Sequence, residues 1–191
     1  MNIQEYQILA ARTLIDKPDR TYTAEELSMM WLSLAAMKYF GAIMDNIKKG
    51  VFHQHGINVK AISEDGYLVQ GYIEGLVGIA EKRITIDAAD DYGTLNLNDQ
   101  QTMLLWSLLG MFGEPGEIAD LILDSVVNGT LLDMEKLEKE LGDTSWYVFA
   151  EATTAGIPMS SALLKNITKL QRRYPNGYSS ADSINRKVEE E

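Results

Sequence analysis

The sequence predicts an all-α protein, and three observations favour this fold class. Only 4 of the 191 residues are proline, strong helix formers occur throughout, and apolar residues recur at helical spacing in successive segments. Hydrophobic residues make up 46 % of the chain and charged residues 24 %, a balance typical of folded globular proteins. We therefore expect a helical bundle that forms its core without covalent cross-links.

The helices of the first half are predicted from periodicity and capping signals. A first amphipathic helix ends at a turn at 16–19, which contains Pro18. Thr23 and Glu26 have the spacing of a capping box and begin a second, strongly apolar helix. A third helix follows despite several glycines, which lower helical propensity, and 84–98 is predicted to be a connection. The three predicted helices span 3–15, 24–49 and 63–82.

The second half has clearer helix boundaries. Asn98 and Gln101 have capping-box spacing, and Asn128-Gly129 is a typical helix end. Pro115 is expected to kink or split this long helix, because proline removes one backbone hydrogen bond. Asp133 caps the next helix, and Pro158 suits the first turn of the last one. These predicted helices span 99–128, 134–156 and 158–174.

Charge and composition exclude several classes of protein. The 17 Lys and Arg are outnumbered by 28 Asp and Glu, for a formal net charge of −11, which argues against binding to a nucleic-acid backbone. The absence of Cys excludes disulfides and thiolate metal sites. The longest uninterrupted apolar stretch is too short to span a membrane and no signal peptide is recognised, so we expect a cytoplasmic protein without membrane contact.

Two pairs of acidic residues lie on apolar helix faces of the second half. Glu114 and Glu117 are three residues apart, as are Glu140 and Asp143, so each pair projects from nearly one line of its helix. Two antiparallel helices joined at 130–133 could bring all four carboxylates together. Because buried like charges repel and lose hydration, such a cluster would require cations. The alternative is that all four are solvated acids.

The donor types favour a hard divalent cation over a transition metal. Mg²⁺ prefers oxygen ligands, with Mn²⁺ as a substitute. Zinc is disfavoured because the two histidines, His53 and His55, are remote in sequence and there is no thiol. A ferritin-like di-iron site would need Glu-x-x-His pairs, whereas this chain has Glu-x-x-Glu and Glu-x-x-Asp.

A polar face on the last helix suits phosphate groups. Asn166, Lys169 and Arg173 are spaced at i, i+3 and i+7 and therefore share one helix face. Beside an acidic cluster they could bind the phosphates of a metal-bound polyanion. The alternative is a basic helix C-terminus that interacts favourably with the helix dipole.

The ordered motifs GEPGEIADLI, ELGDTSWY and NITKLQRRYPNGYS resemble those of the MazG-like nucleotide pyrophosphohydrolases, in the all-α NTP pyrophosphatase superfamily. The similarity covers roughly 101–179, and the opening IQEYQILAARTL also looks like the first helix of the family. The resemblance implies Mg²⁺-dependent hydrolysis of a nucleoside triphosphate to the monophosphate and pyrophosphate, by a homodimer or higher homo-oligomer. The implied metal-binding and catalytic residues are Glu114, Glu117, Glu140 and Asp143, and the implied phosphate-binding residues are Asn166, Lys169 and Arg173.

One departure from the family pattern keeps a second function open. Many members have a further Glu immediately before the first acidic pair, where this chain has Gly113. The substitution argues against a full two- or three-metal arrangement. It also motivates the alternative of a catalytically weak protein of the same fold, used for nucleotide sensing or for interaction with a partner.

The other departure concerns the domain organisation. We predict one domain at 1–179, in which 20–98 is an insertion or a degenerate first repeat and 99–179 is the metal-binding half, followed by a polar tail at 180–191. Residues 29–47 align with 104–122 at a constant shift of 75, which matches Trp31 with Trp106. The alternative is that two apolar helices align by composition alone.

Overall fold

The computed structural model describes residues 1–14, 22–86 and 97–184. Within these ranges the regular elements are α-helices, apart from an isolated bridge between Pro175 and Gly177, which confirms the predicted all-α class. The helices are α1 (Ile3–Ala11), α2 (Ala24–Phe52), α3 (Val59–Ala80), α4 (Asp99–Asn128), α5 (Met134–Thr154), α6 (Met159–Arg173) and α7 (Ser180–Ile184).

Both predicted capping boxes are confirmed. The Thr23 hydroxyl accepts a hydrogen bond from the Glu26 backbone N–H, and the Glu26 carboxylate accepts one from the Thr23 N–H. Asn98 and Gln101 make the same reciprocal pair at the start of α4. These bonds satisfy backbone donors that the first helical turn leaves unpaired, so they determine where α2 and α4 begin.

Several boundaries differ from the sequence-based expectation. α1 ends at Ala11, earlier than predicted, and α3 begins at Val59 because the Asn58 side chain caps it by accepting from the Ala61 N–H. α4 continues across Pro115, so the prediction of a split at this proline is wrong. The predicted turn at 16–19 and most of the connection at 84–98 lie outside the described residues.

The predicted polar tail contains a short helix. α7 begins at Ser180, and Ser183 within it is only 1 % exposed, because its hydroxyl lies 3.0 Å from His55 Nε2. This contact is distant in sequence and has no local signal. Residues 180–184 of the predicted polar tail are thus helical and packed, whereas 185–191 lie outside the described residues.

The chain divides into two compact units. Unit 1 comprises Met1–Asp19 and Asn96–Asn166, and it contains α1, α4, α5 and the first half of α6. In unit 1, the antiparallel hairpin of α4 and α5 is covered on one side by α1. The Gln7 side chain of α1 donates hydrogen bonds to Thr153 Oγ1 at 3.2 Å and to the Ile157 carbonyl at 3.0 Å, which fix α1 against the end of α5.

Unit 2 comprises Arg20–Leu95 and Ile167–Glu191, and it contains a second antiparallel hairpin, formed by α2 and α3, together with α7. The Tyr72 ring of α3 packs edge-on against Trp31 and stacks on Tyr39, both on α2. Aromatic contacts of this kind add to the apolar area that the two helices bury against each other.

By length and composition, α2 is apolar enough to cross a membrane, so the expectation that no segment of the chain would qualify is wrong. Of its most apolar window, 11 % is buried within the structure. These two criteria are a weak indication, because core helices and signal sequences satisfy them as well.

Candidate metal centre

The hairpin of α4 and α5 is held in register by a ladder of contacts that ends at the acidic residues. At one end, the Gln100 side chain donates to the Thr154 carbonyl at 3.0 Å. Further along, the buried Ser107 hydroxyl contacts the carboxylate of Glu151. As residue numbers rise along α4 they fall along α5, so the antiparallel packing brings the segment around 114 beside the segment around 140.

A tyrosine ring of α5 packs directly against a glycine of α4 just before the acidic cluster. A Cβ on Gly110 would lie only 2.1 Å from the Tyr147 ring, so glycine allows this contact. Trp106 and Trp146 pack with Tyr147 at ring centroid distances of 5.6 and 4.9 Å, and Trp146 Nε1 donates to Thr13 Oγ1 at 2.8 Å. These rings pack between α4 and α5 about one helical turn from Glu114 and Asp143.

Three carboxylates meet at the next layer of the hairpin. Glu114 of α4, and Glu140 and Asp143 of α5, each offer an oxygen, and these oxygens lie within 4.8 Å of one another. Glu140 and Asp143 are one helical turn apart and so project to the same side of α5. The structure thus brings together three of the four acidic residues that the spacing singled out.

Glu140 is the most deeply buried carboxylate of the cluster. It is only 1 % exposed, and its Oε2 atom has no hydrogen-bond partner among the described residues. A buried carboxylate oxygen without a partner is costly, because burial removes its hydration and no hydrogen bond replaces it. A cation bound between Glu140 and its neighbours would supply the missing partner.

Lys139 is a charged neighbour that sequence reasoning missed. Its Nζ lies 3.2 Å from Glu140 Oε1 and 3.5 Å from Asp143 Oδ2. The hydrogen bond to Glu140, followed by the charge of that carboxylate, raises the pKa of the Lys139 ammonium. The i, i+4 spacing of Lys139 and Asp143 was the available signal, since such pairs face each other on a helix.

The pKa of Glu114 reflects the negative charges of the neighbouring carboxylates. Burial raises the pKa of the Glu114 carboxyl, and the charges of Glu117, Asp143 and Glu140 raise it further. Lys139 acts in the opposite direction and lowers it. The carboxylates therefore repel one another, which is the electrostatic condition that a divalent cation relieves.

Glu117 lies near the cluster but is not part of it. It is exposed, and its charge acts on Glu114. Glu114 is partly buried at the seam between the helices, whereas Glu117, one turn further along α4, lies on the exposed side of that seam. The cluster contains three of the four predicted ligands, and the role of Glu117 as a fourth stays a prediction.

The predicted phosphate-binding residues lie on α6. Asn166, the last residue of unit 1, is exposed, whereas Lys169 and Arg173 belong to unit 2 and are partly buried. Their spacing places them along one face of the helix, as predicted. Their role in phosphate binding stays a prediction.

The donor set fits a hard divalent cation. Three carboxylates supply only oxygen atoms, which Mg²⁺ and Mn²⁺ prefer, and three protein ligands leave coordination positions for water or phosphate oxygens. The partial exposure of the Asp143 side chain, at 49 %, leaves one side of the cluster open to a ligand. The arrangement is suited to binding a metal-associated anion.

The protein is therefore an all-α protein with a candidate metal-binding site. The site is formed by carboxylates from both helices of the antiparallel hairpin of α4 and α5. The sequence profile of the MazG nucleotide pyrophosphohydrolase domain matches residues 101–178, which include the whole cluster. The chain belongs to this family, as its motifs suggested.

The chain is also similar to a phage protein. The chain is 33 % identical over 89 residues to the Gene 37 protein of Mycobacterium phage L5, a match that covers 44 % of this chain and 76 % of that protein. No solved structure matches the chain.

Proposed function

We propose that the protein is a Mg²⁺-dependent nucleoside triphosphate pyrophosphohydrolase that releases a nucleoside monophosphate and pyrophosphate. The observation that carries the proposal is the buried Glu140, which lacks a partner for Oε2 and lies within a three-carboxylate cluster. The family match over residues 101–178 supports the reaction class, since its description is that of a nucleotide pyrophosphohydrolase.

The carboxylates have separate roles in this proposal. Glu114, Glu140 and Asp143 would hold Mg²⁺, or Mn²⁺ in its place. The bound ion would neutralise the triphosphate and lower the pKa of a coordinated water. Glu117 is exposed and near Glu114, so it would accept a hydrogen bond from the attacking water and orient it.

Side chains of α6 would bind the phosphates. Asn166 offers an amide donor, and Lys169 and Arg173 offer positive charges at matching spacing. Because a triphosphate bound to one Mg²⁺ still carries net negative charge, these donors would favour its binding and retain pyrophosphate after cleavage.

The activity is tested by measuring pyrophosphate release from a panel of ribo- and deoxynucleoside triphosphates, with and without Mg²⁺. We expect Glu140→Gln to lose at least tenfold in rate. Its matched control is Glu138→Gln, an exposed glutamate on the same helix, which should keep the wild-type rate. Equal rates for wild type and Glu140→Gln, or no release by the wild type, would reject the proposal.

Gly113 supports a second candidate function, a catalytically weak nucleotide sensor or interaction module. A family position that often bears Glu has no side chain here, so the site offers fewer metal ligands. Binding of a nucleoside triphosphate with Mg²⁺ but without turnover, together with recovery of a protein partner, would favour this alternative over the enzyme.

We further propose a cytoplasmic homodimer or higher homo-oligomer that binds neither nucleic acid nor membranes. Large apolar side chains near the turn between α4 and α5 are strongly exposed, which favours burial against another copy, and the charge of −11 disfavours nucleic acid. Light scattering coupled to gel filtration would give the mass of the assembly. The most exposed of these side chains are Val126, Val127, Leu131 and Met134.

A further inference from the structure

The two helical hairpins have matching boundaries at one constant shift in residue number. A shift of 75 carries Ala24, where α2 begins, to Asp99, where α4 begins. The same shift carries Val59, the start of α3, to Met134, the start of α5. The correspondence extends past the helix at 29–47 to the whole hairpin, and it requires no gap.

The residues that begin and end the helices correspond as well. At the same shift, the capping box that begins at Thr23 corresponds to the one that begins at Asn98. The N-cap residue Asn58 of α3 corresponds to the N-cap residue Asp133 of α5. After α2, Gln54 has a left-handed backbone with φ of 60°, and the shift carries it to Gly129, with φ of 66°. Glutamine rarely adopts this conformation, which glycine favours, so the two hairpins also share the backbone geometry that ends their first helix.

A tertiary contact is repeated at the same shift. Trp31 of α2 contacts Tyr72 of α3 at a ring centroid distance of 5.5 Å. The shift carries this pair to Trp106 and Tyr147, whose ring centroids are 5.6 Å apart. Similar composition of two apolar helices does not produce an identical residue pair across both helices of a hairpin, whereas a shared origin does.

The positions of the metal cluster have diverged in the first hairpin. Tyr39 corresponds to Glu114, and its ring stacks on Tyr72, 5.8 Å away. Ala42 and Leu68 correspond to Glu117 and Asp143 and carry no charge. Asp65 corresponds to Glu140 and is the one carboxylate retained.

We propose that the hairpin of α2 and α3 is a second copy of the metal-binding hairpin that has lost its metal site and kept its fold. Asp65 is the remaining ligand, and one carboxylate does not hold a hard divalent cation that prefers several oxygen donors. The two hairpins therefore provide one metal centre instead of two. This inference rests on the proposed metal binding by α4 and α5.

Restoring the lost carboxylates in the full-length protein tests the proposal. We would count bound Mn²⁺ by titration calorimetry and by electron paramagnetic resonance, with one ion expected per wild-type chain. The triple variant Tyr39→Glu, Ala42→Glu and Leu68→Asp should bind two. A double variant, Tyr39→Glu with Leu68→Asp, completes the equivalent three-carboxylate set together with Asp65 and leaves Ala42 unchanged, so it serves if the triple variant does not fold.

A control variant separates a restored site from added charge. Phe40→Glu, Met44→Glu and Tyr67→Asp introduce the same three acids at exposed positions of the same hairpin that do not correspond to the cluster. This control should keep one ion per chain, and a second ion in it would overturn the proposal. One ion in the wild type and still one in the folded restored variants would overturn the duplication alone. No ion in the wild type would overturn the proposed function as well.

Discussion

Gly110 of α4 and Tyr147 of α5 approach so closely that a Cβ on residue 110 would lie 2.1 Å from Tyr147 Cε1. The contact lies about one helical turn from Glu114 on one side and from Asp143 on the other. The distance between the two helices at this point therefore sets the separation of the carboxylates that α4 and α5 contribute to the cluster.

Replacing Gly110 by Ala should weaken both folding and metal binding. The added methyl would collide with the Tyr147 ring, and overpacking of this kind costs about 1–3 kcal/mol. Spreading the helices would also move Glu114 away from α5. Urea unfolding would report the loss of stability, and calorimetry with Mn²⁺ would report the weaker affinity.

Gly113→Ala is the matched control on the same helix. A Cβ at this position meets nothing within 4 Å, and alanine is favoured over glycine in a helix by about 0.5–1 kcal/mol. We therefore expect Gly113→Ala to be neutral or stabilising. Similar destabilisation by both substitutions would show that the contact with Tyr147 is not the cause.

Glu140→Gln should change the response of the protein to metal. In the absence of metal, the amide removes a buried charge whose Oε2 has no partner, so the melting temperature should rise above that of the wild type. With Mn²⁺ at 100 times Kd, the wild type should gain about 2.7 kcal/mol. The variant should gain far less, as measured by thermal unfolding.

Glu138→Gln provides the reference for this comparison. Glu138 is exposed and lies outside the three-carboxylate cluster, so its loss should leave both the metal-free stability and the response to Mn²⁺ unchanged. If Glu140→Gln also retained the full stabilisation by Mn²⁺, the buried carboxylate would not be a metal ligand.

Lys139→Met should make the metal-free protein less stable and its affinity for metal higher. The ammonium of Lys139 lies beside the oxygens of Glu140 and Asp143 and partly neutralises them. Its removal leaves more negative charge for an incoming cation, so Mn²⁺ should bind about two- to fivefold more tightly, a modest effect because the ammonium itself is exposed to solvent. Calorimetry would measure the change, and Lys136→Met should show none.

The sequence predicts the helix starts well because the determining contacts are local. Thr23, Asn98 and Asp133 each accept a hydrogen bond from a backbone N–H three residues on, so a short motif contains the whole signal. The tail helix has a similar local cap, because the Ser179 hydroxyl accepts from the Asp182 N–H, but its packing has no local signal. Ser183 is buried through its contact with His55, which is remote in the sequence.

The metal cluster could be predicted only in part. Helical periodicity places Glu140 and Asp143 on one side of α5, and the structure confirms their proximity. Periodicity does not give the rotation of α4 about its axis, so it could not separate Glu114, at the seam, from the exposed Glu117. The proximity of Lys139 to the cluster depends on its rotamer, which the sequence does not specify.

The ion pairs of Asp45 should make stability depend on pH in the acidic range. Asp45 Oδ1 lies 2.7 Å from Lys48 Nζ, and Lys49 also contacts the carboxylate. Hydrogen bonds from Lys48 and then from Lys49 lower the pKa of Asp45 from 3.8 to about 2. Because the folded state binds this proton less tightly than the unfolded state, the pairing stabilises the protein above pH 3.8 and is lost as pH falls towards about 2.

Asp45→Asn should lower the free energy of unfolding near neutral pH, and its difference from the wild type should become smaller as pH falls. The Asp45 side chain is 42 % exposed, so solvent screening limits the loss near neutral pH to about 1 kcal/mol or less. Urea unfolding between about pH 6 and pH 3 would follow the difference. In the background Lys48→Met with Lys49→Met, Asp45→Asn should cost almost nothing, because its partners are absent. A difference that is constant with pH, or one that survives in this background, would contradict the assignment to these ion pairs.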